Sequence, residues 1–134
     1  MLPSQKITWS AAEAACKAFG NFAALVTIRS QNEQDFIKRM MQRYNDLNAW
    51  IGLNDIALEN VFEWTGDNSV LDVNDFKIWA NGKPIENRKE WDCVTLLGLR
   101  IDAAWTVQNC SQLQNYICMR HRGMLLIIKY TAIK

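Results

Sequence analysis

The sequence predicts an α+β fold, in which two helices precede small antiparallel sheets and long polar loops. Three observations support this prediction. Apolar residues recur at helical spacing in the first 45 residues, short β-like runs replace them from Ala49 onward, and four cysteines are available to pair. With 134 residues, of which 49% are hydrophobic and 22% charged, the chain has the size and composition of a single globular domain.

The first helix is predicted over roughly residues 9–19. Its apolar residues recur at helical spacing, namely Trp9, Ala12, Cys16 and Phe19. Ser10 and Glu13 have the spacing of a capping box, and Gly20 stands where a helix end favours a positive φ. These signals predict both ends of the helix.

A short strand and a second helix follow. The segment FAALVTIRS is typical of a strand, and Ser30 with Glu33 forms a second S-x-x-E pattern at the start of a helix. The apolar side of this helix consists of Phe36, Ile37, Met40, Met41 and Tyr44. We expect the helix to end near Tyr44 and Asn45.

The second half of the chain is predicted to be strands and loops. Its β-like runs are AWIGL, VFEWT, DCVTLL, AAWTV and NYICM. The stretch from Gly66 to Asp92 is too long for an ordinary connection and contains a Gly-Lys-Pro turn signal. It is therefore predicted to be a functional or structurally fixed loop.

The cysteines Cys16, Cys93, Cys110 and Cys118 are even in number and lack C-x-x-C spacing, which predicts two disulfides and an oxidising, extracellular environment. Three pairings are open at this point. The first residues, MLPSQKITWS, do not have the features of a secretory signal. The longest apolar run, Met124–Ile128, is far shorter than the roughly 20 residues that cross a membrane, so no membrane-spanning segment is predicted.

Composition argues against two classes of function. The formal net charge is +1 and the basic residues are scattered, so a nucleic-acid partner is not expected. His121 is the one histidine, in a polar Arg-His-Arg stretch, and no nucleotide-binding or nucleophile motif is present. We therefore predict no enzyme activity and no catalytic residues.

Several short motifs occur in a characteristic order. They are T-W-x-x-A-x-x-x-C at Thr8–Cys16, W-I-G-L at Trp50–Leu53, F-E-W at Phe62–Trp64, W-x-x-G-x-P at Trp79–Pro84, D-C-V at Asp92–Val94 and Y-I-C at Tyr116–Cys118. In this order and spacing they resemble the C-type lectin-like domain over about residues 6–120. The resemblance divides the chain into a domain at 1–120 and a non-family tail at 121–134.

The resemblance implies which cysteines pair. Cys16 would join Cys118, and Cys93 would join Cys110. It also implies that the family's first strand is shortened or missing, since only MLPSQKI precedes Thr8. The tail is then either a disordered stub or a segment whose β-branched residues fill the vacated sheet edge.

The resemblance also allows a test of the family's sugar site. Sugar-binding members hold a calcium ion through Glu-Pro-Asn in the long loop, a Glu before the Asp-Cys pair, and a later Asn-Asp. The corresponding positions in this chain are Lys83, Pro84, Ile85, Trp91, Thr106 and Val107. None of the ligand positions keeps a carboxylate or amide oxygen, which calcium requires, so we expect the sugar-site calcium to be absent.

A second, auxiliary calcium position of the family matches better. Its acids correspond to Asp55, Glu59, Glu86 and Asp92, and all four retain carboxylates. Two interpretations stay open, a structural calcium that orders the long loop or ordinary solvated acids. No cofactor is required by the sequence, and Ca²⁺ is the candidate ion.

The predicted function is an extracellular, non-catalytic recognition module. One hypothesis is a protein ligand that meets the long loop at Ile85, Trp91 and Val107, unless Trp91 packs inward. A second is a carbohydrate bound without the usual calcium site, by aromatic stacking and polar loop residues. A third is a truncated domain with no independent binding.

Overall fold

The computed structural model describes residues 6–43, 48–82, 84, 90–98 and 103–120. It contains two helices and two small sheets, as predicted. The helices are α1 (Trp9–Lys17) and α2 (Gln31–Arg43). The strands are β1 (Ala23–Leu25), β2 (Asn48–Asn54), β3 (Glu63–Trp64), β4 (Cys93–Leu97), β5 (Trp105–Gln108), β6 (Asn115–Tyr116) and β7 (Cys118–Arg120).

Helix α1 begins at Trp9 as predicted, but its N-cap is a different residue from the one expected. Thr8 is its N-cap, and the Thr8 hydroxyl accepts the Ala11 N–H at 3.3 Å. The predicted Ser10–Glu13 capping box is therefore wrong, and the Glu13 carboxylate instead accepts from the Thr65 hydroxyl of the loop after β3. The chain reverses after the helix at Gly20, whose φ of 121° fits the prediction of a positive φ there.

Helix α2 begins at the predicted signal, with a difference in its hydrogen bonding. The Ser30 hydroxyl accepts the Glu33 N–H at 3.1 Å, while the Glu33 carboxylate accepts the Arg29 N–H at 2.6 Å. Ile37 and Met41 are buried as expected, and Met40 packs against the core. One member of the predicted apolar side differs, since Phe36 is 41% exposed. Tyr44 lies outside the described residues.

The main sheet has the order β3-β2-β4-β5, and β6 adds to β2 in parallel. Strand β2 is its centre because the W-I-G-L segment is buried on both faces. Gly52 is required there, since a Cβ would lie 2.9 Å from the Leu25 carbonyl oxygen and 3.0 Å from that of Val26. The second sheet pairs β1 with β7 antiparallel.

Both disulfides are present in the pairing that the family resemblance implies. Cys16–Cys118 connects α1 to β7 across 102 positions of sequence, and Cys93–Cys110 connects the start of β4 to the turn after β5 across 17. The first disulfide thus joins the two ends of the described domain to each other, and the second is local to its second half.

The described pairing before α1 consists of one bridge. Ile7 exchanges two backbone hydrogen bonds of 2.9 Å with Gln114, and its carbonyl oxygen accepts the Trp50 indole N–H at 3.0 Å. Residues 1–5 lie outside the described residues, so the shortened first strand stays a prediction. The tail at 121–134 lies outside the described residues. Among the residues described, no helix has the length and apolar character needed to cross a membrane.

Aromatic side chains attach the beginning of the long loop to the core. The ring centroids of Trp79 lie 5.1 Å from Phe62 and 5.7 Å from Trp105, and Phe76 lies 5.8 Å from Trp105. The backbone N–H of Trp105 also donates to the Ile78 carbonyl at 2.8 Å. The described part of the predicted long loop is thus structurally fixed.

Candidate functional site

Sheet register brings two distant aspartates together. Asp55 follows the last residue of β2, Asp92 precedes the first residue of β4, and the two strands pair with Asn54 opposite Cys93. The Asp55 N–H donates to the Asp92 carbonyl at 2.9 Å and extends this pairing by one step. Two carboxylates therefore meet at one edge of the sheet.

A tight turn adds a third carboxylate. The Asp55 side chain accepts the Asn60 N–H at 2.7 Å, and Asn60 adopts a φ of 66°. This turn brings Glu59 back towards the sheet. Carboxylate oxygens of Asp55, Glu59 and Asp92 all lie within 4.8 Å of one another. We call these three residues the acidic trio.

The acidic trio is poorly satisfied by the protein. Asp55 is 2% exposed, and within the part of the chain that the structure describes its Oδ1 and the Oδ1 of Asp92 have no hydrogen-bond partner. Burial raises the pKa of Asp55 to about 7, against the lowering effect of the Asn60 N–H, and the charges of Glu59 and Asp92 add to the increase. Desolvation, followed by the charge of Asp92, raises the pKa of Glu59.

The geometry and donor type fit a hard divalent cation. Ca²⁺ takes carboxylate and carbonyl oxygens at roughly 2.3–2.6 Å, so two oxygens on one ion are separated by at most about 5 Å. The acidic trio is within that limit. A cation would also satisfy the two orphaned oxygens. The fourth predicted ligand, Glu86, lies outside the described residues.

The positions that correspond to the sugar site have a different character. Val107 is fully buried in β5 opposite Val94, and Thr106 is opposite Thr95. Trp91 is half-buried and packs against the main core, which favours the inward interpretation of this side chain. Pro84 is half-buried, whereas Lys83 and Ile85 lie outside the described residues.

A cleft beside the acidic trio was not predicted. Its volume is about 360 Å³, and it is lined by Asn60, Val61, Phe62, Val70, Leu71, Lys77, Trp79 and Pro84. Most of these side chains are apolar. Asn60 links the two features, because it lines the cleft while its backbone N–H donates to Asp55.

Comparison with known proteins identifies the family. The family model described as the lectin C-type domain matches residues 5–120. The chain belongs to the C-type lectin domain family. Its helices, sheets and two disulfides are those of this fold, and membership supports a ligand-recognition module.

About a third of the aligned residues are identical between this C-type lectin domain and two of its relatives. It is 30% identical over 113 residues to lectin BRA-3 of Megabalanus rosa, covering 84% of this chain and 65% of that lectin. It is 34% identical over 116 residues to human C-type mannose receptor 2, covering 84% of this chain and 7% of the receptor. The chain thus spans less than two thirds of either relative.

A solved structure agrees with the fold. The cow CD23 carbohydrate-recognition domain, crystallised in the presence of a GlcNAc2Man3 oligosaccharide, superposes with a TM-score of 0.69 at 30% identity. The match covers 87% of this chain and 81% of the CD23 domain.

Proposed function

We propose that this C-type lectin domain is an extracellular, non-catalytic module that binds a protein ligand, with calcium at the acidic trio and none at the sugar-site positions. The observation that carries the metal part of the proposal is the meeting of three carboxylates, of which Asp55 and Asp92 each have a buried oxygen without a hydrogen-bond partner among the described residues. Such a cluster is unfavourable without a cation and favourable with one.

Calcium at this place would have a structural role. Asp55, Glu59 and Asp92 would supply the carboxylate oxygens, and Ca²⁺ would supply the positive charge that offsets their repulsion. Asp55 is fixed to Asn60 and to the backbone of Asp92, so cation binding would hold the 55–60 turn against the start of β4. Glu86 completes the proposed ligand set from the sequence.

The sugar-site positions support recognition without a coordinating metal. Trp91 and Val107 contact the core and offer no oxygen side chain, and Thr106 offers a single hydroxyl. At the sequence level Lys83 and Ile85 also lack a calcium ligand, since an ammonium group repels a cation and an alkyl group cannot coordinate one. A ligand would therefore bind without a metal at these positions, and it would not reach Val107, which is fully buried.

The extracellular part of the proposal is supported by the disulfides. Both pairs are formed and the described residues contain no free cysteine. Structural disulfides persist in oxidising compartments.

Calorimetric titration of Ca²⁺ into chelator-treated protein tests the metal part. We expect measurable binding to the wild-type chain, loss of binding in Asp55→Asn, and nearly unchanged binding in Glu63→Gln. Glu63 is the matched control because it lies in β3 near the turn but outside the acidic trio. Equal heats for all three proteins would refute a calcium site at the trio.

A glycan array tests the ligand part. Binding measured in Ca²⁺ and again in chelator should show no sugar signal that depends on calcium. A chelator-sensitive sugar signal would overturn the proposal, because it would require a metal at the sugar-site positions.

A further inference from the structure

The cleft lies in a strongly acidic part of the chain. From Tyr44 to Asp92 the sequence has ten acidic and four basic side chains, a formal charge of −6, and the rest of the chain has +7. No Lys or Arg occurs between residues 44 and 76, where seven acids occur. The overall charge of +1 conceals this asymmetry.

Two basic side chains that contact this segment are already engaged by the protein. The Lys77 ammonium group donates to the carbonyl oxygens of Asp72, Val73 and Asp75 at 2.5, 3.0 and 3.0 Å. Arg29 forms an ion pair with Asp67 at 2.5 Å. Of the acids outside this ion pair and the acidic trio, exposed Asp72 and Asp75 and half-buried Glu63 lie within two residues of the cleft-lining residues Leu71, Lys77 and Phe62.

Exposed apolar side chains are concentrated in the same segment. Seven large hydrophobic side chains are exposed among the described residues, and four of them lie here: Ile56, Leu58, Val70 and Val73. Val70 is 53% exposed and lines the cleft. Leu58 is joined to the cleft wall, since its carbonyl accepts the Val61 N–H at 3.0 Å. Such grouping is typical of interaction surfaces.

The interior of the cleft has the chemistry of an apolar subsite. Val61, Phe62, Leu71 and Trp79 supply aliphatic and aromatic surface, and about 360 Å³ is at the small end of ligand pockets. That volume suits one or two bulky side chains, which is how protein interfaces anchor a partner.

We infer that this cleft receives a bulky apolar side chain from a basic peptide segment of a protein partner. The apolar lining selects the anchoring side chain, and the surrounding acids attract flanking Lys or Arg residues through charge complementarity. The inference rests on the proposed function, because it assumes a protein ligand, and it specifies where that ligand binds and with what chemistry.

Short peptides provide the probe. The test peptide is acetyl-Lys-Lys-Leu-Phe-Lys-Lys-amide, and two controls replace Leu-Phe by Ser-Ser or all four Lys by Glu. Methyl and indole NMR signals of Val61, Val70, Leu71 and Trp79 are followed during titration in Ca²⁺ at constant ionic strength. We expect saturable shifts of these signals with the test peptide, and at least tenfold weaker binding for each control.

A pair of charge-matched variants locates the binding. Val70→Lys places a cation at the cleft, whereas Leu113→Lys places the same charge at an exposed apolar position outside the acidic segment. We expect Val70→Lys to weaken the test peptide at least tenfold and Leu113→Lys to change it less than twofold. Because both positions are exposed, folding should be retained and is checked by the cooperative thermal transition.

Several results would overturn the inference. These are equal binding of the Ser-Ser peptide, shifts confined to residues outside the cleft, or cleft signals that respond to N-acetylglucosamine or to phosphatidylcholine vesicles instead. Failure of the proposed function is distinguishable, since it would appear as calcium-dependent sugar binding on the array, whatever the peptides do.

Discussion

Two buried polar side chains in this domain have opposite surroundings. Gln34 of α2 is fully buried, and both ends of its amide are bonded: Nε2 donates to the Ala103 carbonyl at 2.5 Å, and Oε1 accepts the Trp105 indole N–H at 3.0 Å. Asp55 is nearly as buried, but one of its oxygens is bonded only to Asn60 and the other has no partner among the described residues.

The contrast distinguishes Gln34, whose hydrogen bonds within the protein stabilise the fold, from Asp55, whose surroundings are those of a ligand-binding group. A buried polar group with all its hydrogen bonds contributes to a unique core. A buried carboxylate with an orphaned oxygen, close to two other acids, is costly unless something positive joins it. The core around Gln34 should therefore be indifferent to calcium, and the acidic trio should respond to it.

Removing the disulfides should produce the largest effects and should separate the two regions. Cys16→Ala with Cys118→Ala should lower the free energy of unfolding by about 4–5 kcal/mol, and Cys93→Ala with Cys110→Ala by about 3 kcal/mol, following loop length. Urea unfolding checks this order. Because Cys93 follows Asp92, the Cys93→Ala, Cys110→Ala variant should also bind calcium more weakly. A larger loss of stability in that variant, or weaker calcium binding only in the Cys16→Ala, Cys118→Ala variant, would contradict the account.

Gln34→Leu should cause the next largest loss in the free energy of unfolding. It leaves the Trp105 indole N–H and the Ala103 carbonyl without their partner, at a cost of about 2–4 kcal/mol. The loss should be the same with and without Ca²⁺ in chemical denaturation. Gln31→Ala, on the exposed surface of α2, serves as the control and should change stability by less than about 0.5 kcal/mol.

Much of this core could be predicted from sequence. The spacing of Trp9, Ala12 and Cys16 defined the buried face of α1, because helical periodicity is a local property. The cap of α1 was assigned to the wrong residue because Thr8 and Ser10 are both good caps, and only the tertiary bond from Thr65 to Glu13 distinguishes them.

The acidic trio was reached from sequence only through the family resemblance, since Asp55 and Asp92 are joined by strand register. The cleft was missed altogether. Its lining comes from separate stretches at 60–62, 70–71, 77–79 and 84, and no periodicity connects them. The sequence signal for this surface is the difference in formal charge between residues 44–92 and the rest of the chain.

Asp55→Asn should change the stability of the domain by a smaller amount. The change should be a gain without Ca²⁺ and a loss with Ca²⁺. Without calcium it removes a buried charge from the acidic trio, so the domain should gain on the order of 1–3 kcal/mol. With calcium it removes a ligand, so the thermal stabilisation by Ca²⁺ should disappear. Scanning calorimetry in chelator and in Ca²⁺ checks both signs, and a destabilised chelator-treated variant would argue against the account.

Acidification of the calcium-free protein should stabilise the domain, as Asp55→Asn does, by a similar or smaller amount. The folded pKa of Asp55 is about 7, above its usual value of 3.8, so its protonated form favours the folded state. Stability from this group is full below about pH 4 and is lost as pH rises through 7. The melting temperature of chelator-treated protein should therefore fall from pH 5 to pH 8, and much less so in Asp55→Asn or in Ca²⁺. Equal pH profiles in chelator would contradict the assignment.

The number of calcium ions bound per chain tests the central claim most directly. Native mass spectrometry of the folded protein in Ca²⁺ counts bound ions without reference to any ligand. One ion per chain is the predicted result, with calcium at the acidic trio and none at the sugar-site positions. Zero ions would contradict the structural site, and two would contradict the loss of the sugar-site metal.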